Sequence, residues 1–72
     1  MLDGWLLSLS DDEITDAICA VYDNELREKL GEEFPDLLAL TYDSRLLTQA
    51  EHLVDCGFDR TLAILSWNDD DA

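Results

Sequence analysis

Basic residues are what this chain has least of. Among 72 residues there are four, Arg27, Lys29, Arg45 and Arg60. That is too few to neutralise a run of phosphates, so direct nucleic-acid binding is excluded as an expectation. There is one histidine, His52, and two cysteines, Cys19 and Cys56, without the Cys/His spacing of a zinc site. No metal or cofactor is therefore expected. Two thiols in an acidic chain that lacks the basic start of a secretory signal read as free and buried rather than as a disulfide. No apolar run approaches the length of a membrane span, so no membrane partner is expected and the cytoplasm is the expected compartment. There are one proline and three glycines, and no internal repeat or long linker divides the chain.

Acids and leucines are what the chain has in abundance. Eighteen Asp and Glu give a formal net charge of −14, while hydrophobic residues make up 47% and include fourteen leucines. A disordered acidic chain is poor in apolar residues, so these numbers describe a folded core carrying excess charge and its self-repulsion.

The pattern predicts an all-α single domain over residues 1–67, built of three to four short helices, followed by a disordered acidic tail at 68–72. Ser10-Asp11-Asp12-Glu13 is a capping box. The helix it opens is predicted over Asp11 to Leu30, with Ile14, Ala17, Ile18 and Val21 as its central buried stripe, widened by Tyr22, Leu26 and Leu30. Gly31 is predicted to stop it. Pro35 opens a second helix, Pro35 to Leu40. Asp43 or Ser44 caps a third, whose apolar set is Leu46, Leu47, Ala50, Leu53 and Val54. Gly57 ends that helix and is followed by Phe58. Asp59 caps a last apolar segment, Arg60 to Trp67, which leucine and alanine favour as helix although periodicity alone also admits a strand. Trp5 and Trp67, near the two ends, are expected to pack together as core, or else to leave one as an interface anchor.

The negative charge is uneven. Residues 11–36 carry ten acids and two bases, against four acids and two bases in residues 37–68. On one continuous helix Asp12, Asp16 and Asp23 would fall within about 40° of each other, opposite Ile14 and Ile18. Glu28, Glu32, Glu33 and Asp36 form a second acidic cluster. These seven residues are the candidate site. They would present carboxylates to the basic groove of a nucleic-acid-binding protein, as the small acidic inhibitors of phages and mobile elements do against CRISPR, restriction or repair enzymes. The alternative is an antitoxin- or immunity-like neutralising module that holds one partner through an apolar patch at Trp5, Leu6 and Leu7.

Other residues invite chemical readings. Asp43-Ser44-Arg45-Leu46 resembles the Asp-Ser-Leu attachment motif of acyl carrier proteins over Ala39 to Phe58, with Arg45 where leucine is expected. The resemblance implies a degenerate carrier domain modified at Ser44; helix capping accounts for the same residues. Leu53-Val54-Asp55-Cys56-Gly57-Phe58 is similar to the Met-Gly-Phe loop of ubiquitin-associated domains, with Cys56 in place of methionine; termination by Gly57 accounts for these residues too. His52, beside Glu51 and Asp55, is expected to be weakly ion-paired. No nucleophile is paired with an oriented base, so no catalytic residue is assigned and no enzyme activity is expected.

Overall fold

The computed structural model describes residues 2–71, with side chains for residues 2–68. Six helices follow one another: α1 (Gly4–Leu7), α2 (Asp11–Tyr22), α3 (Asn24–Glu33), α4 (Pro35–Tyr42), α5 (Ser44–Asp55) and α6 (Arg60–Asp71). The all-α class is as the pattern predicts; the number of helices is larger, for two reasons. Asp3 accepts a hydrogen bond from the Trp5 amide at 2.9 Å and opens the short α1. The long helix predicted over Asp11 to Leu30 breaks at Asp23. Asp23 is extended (φ −133°, ψ 111°), and its carboxylate accepts from the amides of Glu25 and Leu26 at 3.0 and 3.2 Å. Asp and Asn compete for backbone hydrogen bonds and favour caps over helix interiors, so Asp23-Asn24 is a junction.

The break lets α3 fold back on α2, and α4 packs against both. Gly31 is accordingly not the predicted stop. It lies inside α3, where a Cβ would meet the tip of the Leu38 side chain, Cδ2, at 2.7 Å; the missing side chain leaves room for Leu38 of α4 in its present rotamer. Helix α5 packs on α2 and α4, and α6 packs on α5.

The core comprises Leu2, Leu6, Ile14, Ala17, Ala20, Leu30, Leu37, Leu40, Ala50, Leu53 and Ala63. Four of these are alanines, Ala17, Ala20, Ala50 and Ala63, whose small side chains favour close helix packing. The predicted stripe is displaced around α2: Ala20 is buried, Ile18 and Val21 are half-buried, and Tyr22 is 78% exposed. The break at Asp23 leaves Tyr22 at the last position of α2, largely in solvent. On α5, Ala50 and Leu53 are buried as predicted, Val54 is exposed, and Gln49 is buried at 2% exposure, its Oε1 accepting from the Asp3 amide at 3.0 Å.

The end of α5 is built as the Gly57-Phe58 pair predicts. Phe58 N–H donates to the Leu53 carbonyl at 2.9 Å and Gly57 N–H to the Val54 carbonyl at 2.8 Å. This is the Schellman pattern, with Gly57 at φ 68° and Phe58 itself at φ 61°. Residues 61–67 are helical. The predicted disordered tail is a difference: the backbone of α6 stays helical to Asp71, which gives the carbonyls of Ile64 to Trp67 intrahelical partners. Ala72 lies outside the described residues.

Candidate acidic binding surface

The carboxylates divide by what they do. Asp3, Asp23, Asp43 and Asp59 cap helices through backbone amides, and Glu13 closes the capping box by accepting from the Ser10 amide at 3.0 Å. Asp11 pairs with Arg60, Nη2 to Oδ1 at 2.8 Å. Asp12, Asp16, Glu28, Glu32, Glu33 and Asp36 are all exposed, and no hydrogen bond or ion pair engages their side chains among the described residues. Of the seven predicted acidic residues, Asp23 alone is committed to the fold. Because it is a junction rather than a turn of α2, it does not continue the line of Asp12 and Asp16.

The bases divide in the opposite sense. Arg27 donates to the carbonyls of Ala20 (Nε, 3.2 Å) and Val21 (Nη2, 2.6 Å), closing the C-terminal end of α2. Arg60 donates to the carbonyls of Leu7, Phe58 and Leu9 at 3.3, 3.1 and 2.7 Å, and so ties the start of α6 to the segment after α1. Two of the four basic residues are thus spent on backbone carbonyls, which leaves Lys29 and Arg45 against the exposed acids.

Three helices bring part of the acidic set together around Phe34. This residue joins α3 to α4 and is 49% exposed. Beside it lies a hollow of about 230 Å³ lined by the apolar Trp5, Leu9 and Leu37 and by the acids Glu13, Glu33 and Asp36. A second hollow, of about 130 Å³, places Asp16, Lys29 and Glu33 beside the same ring. Asp12 on α2 and Glu28 and Glu32 on α3 line neither hollow. A further hollow, of about 290 Å³, sets Tyr22, Ile18 and Val54 beside Glu51 and Asp55.

The apolar alternative fares differently. Leu6 is fully buried, and Trp5 and Leu7 are half-buried against the core. Leu6 therefore offers no surface, whereas Trp5 keeps part of its ring at the hollow beside Phe34, an exposed aromatic that the sequence pattern passes over because it adjoins a helix-opening proline. Trp67 lies edge-on to the His52 ring with centroids 5.6 Å apart. His52 is not ion-paired as expected: its Nε2 sits 3.1 Å from the Ala63 carbonyl and links α5 to α6. Both cysteines are free, but Cys19 is exposed and Cys56 half-buried, not the buried pair expected. Asp43 is the cap of α5, and Ser44 is the first residue of that helix. Among the described residues no group of three His, Cys, Asp or Glu side chains is placed to hold a metal ion, and no helix is long and apolar enough to cross a membrane.

Compared with known proteins, the chain matches no family model, no curated protein and no solved structure.

Proposed function

We propose that this chain is a non-enzymatic acidic binding protein that occupies the basic groove of a nucleic-acid-binding protein and so acts as an inhibitor of the nucleic-acid-mimic type. The observation that carries the reading is the division of charge just described. Arg27 and Arg60 are turned inward onto backbone carbonyls, whereas Asp12, Asp16, Glu28, Glu32, Glu33 and Asp36 face solvent without partners among the described residues. Like-charged pairs one turn apart, Asp12 with Asp16 and Glu28 with Glu32, each destabilise a helix by a few tenths of a kcal/mol. Contact with a cationic surface turns that cost into binding.

Charge density bounds how literal the mimicry is. The surface of 4575 Å² carries a net −14, about 330 Å² per charge, against roughly 110 Å² on a duplex cylinder of about 10 Å radius. By length the match is closer. The long axis of 37 Å gives one net charge per about 2.6 Å, between about 1.7 Å for duplex and about 3.4 Å for a single strand.

The test is a pull-down from nuclease-treated host lysate, eluted with a salt gradient, comparing the native chain with one in which Asp12, Asp16, Glu28, Glu32, Glu33 and Asp36 are replaced by Asn or Gln. The native chain is expected to retain a basic nucleic-acid-binding protein at low salt, release it at moderate salt, and displace nucleic acid from it; the neutralised chain is expected to retain none. A verified complex that ignores salt, or whose partner still binds nucleic acid, refutes the reading.

A further inference from the structure

The helix caps single out one residue. Every helix but α4 opens on a side chain that accepts from its first-turn amides: Asp3, Ser10, Asp23, Asp43 and Asp59. Helices α2 to α5 are joined by single residues, Asp23, Phe34 and Asp43; the two aspartates are extended, whereas Phe34 lies at φ −137°, ψ 75°. Two of these junctions carry the aspartate that local physics favours. The third carries a phenylalanine that gives no side-chain cap and leaves half of a wholly apolar ring in water. A local rule broken for no more than the partial burial of the ring points to a functional position. Tyr22 and Tyr42 are more exposed, but their hydroxyls are content in water; Phe34 has no such group.

We infer that Phe34 and its two hollows form a docking site for a basic protein segment that inserts one aromatic or branched aliphatic side chain beside the ring and sets its Lys and Arg against Glu13, Asp16, Glu33 and Asp36. The inference rests on the proposed function and specifies the partner's chemistry. Charge complementarity selects the occupant: the charged lining residues are acidic except for Lys29, and acids among apolar side chains suit neither nucleic acid nor an acidic peptide. Size agrees. Hollows of about 230 and 130 Å³ fall below the range of roughly 300–1,000 Å³ typical of small-molecule sites and suit a single side chain. A buried aromatic contact ringed by weaker polar ones is the usual anatomy of an interface hot spot.

This site differs from pure charge mimicry in a way that one substitution exposes. Phe34→Asp adds a negative charge and a helix cap while removing the ring. If charge alone drives binding, the variant binds a basic segment more tightly; if the ring is the anchor, it binds more weakly. The probes are two synthetic Lys/Arg-rich peptides, one with a central tryptophan and one with alanine in its place, titrated into the isotope-labelled full chain and followed by amide shifts at low and moderate salt. The tryptophan peptide is expected to bind at least about tenfold more tightly than the alanine peptide, to shift Glu33, Phe34, Asp36 and the Trp5 indole, and to lose that advantage with both Phe34→Asp and Phe34→Ala. Equal binding of the two peptides, tighter binding by Phe34→Asp, or shifts centred on Tyr22, Glu51 and Asp55 overturns the docking site and leaves charge-driven binding standing. Absence of binding by either peptide at low salt overturns both readings.

Discussion

Replacing Phe34 separates its part in the fold from its part at the surface. The ring is 49% exposed, so about half of the roughly 1.5–3 kcal/mol available from burying a phenylalanine is realised. Phe34→Ala should therefore cost about 1 kcal/mol, with no cap gained or lost because the ring makes none. Phe34→Asp loses the same apolar contact but places a carboxylate on a non-helical junction (φ −137°, ψ 75°), whose ψ must open toward the 111° and 104° of the Asp23 and Asp43 caps for the carboxylate to reach the first-turn amides. A cap is worth about 1 kcal/mol relative to alanine. Repulsion from neighbouring Glu33 and Asp36 returns a few tenths at moderate salt. The aspartate variant should thus be close to the native chain in stability and above the alanine variant by roughly 0.5–1 kcal/mol. In a domain of this size 1 kcal/mol moves Tm by about 4–8 °C, so the gap is measurable by thermal circular dichroism. The order is counter-intuitive, because the more stable variant is the one that adds charge to a chain already at −14. An aspartate variant that melts at or below the alanine variant refutes the capping argument, and with it the inference that phenylalanine is held at position 34 against local preference.

The division of carboxylates into capping and free ones predicts opposite outcomes for similar substitutions. Asp43→Ala should lower unfolding free energy by about 1 kcal/mol in urea titrations, whereas Asp12→Asn should leave it unchanged or raise it by a few tenths; equal losses at both positions would contradict the division. Arg60→Lys should cost about 2 kcal/mol, since one ammonium cannot reproduce the guanidinium's donors to Leu7, Leu9 and Phe58; an unchanged urea midpoint would show that these bonds do not hold α6 in place.

Where sequence and structure agree, a local rule had no competitor. The capping box at Ser10, the Pro35 opening, the cap at Asp43 (one of the two residues the pattern offers) and the Gly57 stop each depend on a few adjacent residues, and each stands where the pattern allows it. The misreadings came from apolar periodicity that continued across an unfavourable pair. Leu26 and Leu30 extend the stripe of α2 in register, so the pattern runs straight through Asp23-Asn24; the break shows only if the capping preference of that pair is weighed above the period. Gly31 was legible as special but not as the point that leaves room for Leu38 of α4, because that contact depends on a residue that lies later in the chain. Similar limits apply to the candidate surface. Exposure of the acids follows from composition. Their meeting around Phe34 depends on α3 folding back, which no single-helix projection contains.

The fold-back also changes what the charge can accomplish. On a straight helix the acids would form a ladder, and a ladder on a surface with about 330 Å² per net charge is a dilute copy of a duplex, roughly threefold below its charge density. Long-range attraction of that strength speeds encounter with a basic groove but does little to slow departure, and it fades as salt rises. Residence is governed by contacts that exclude water, and differences in affinity among related complexes lie mostly in the off-rate. Folding α3 and α4 against α2 places an uncapped, half-exposed aromatic among the acids. On the proposed reading, carboxylates such as Asp12, Glu28 and Glu32, outside the hollows, would be the steering charges and the Phe34 surface the anchor. The two contributions separate kinetically: neutralising the outer acids should slow association and flatten its salt dependence, while truncating Phe34 should speed dissociation by a factor that salt leaves nearly unchanged.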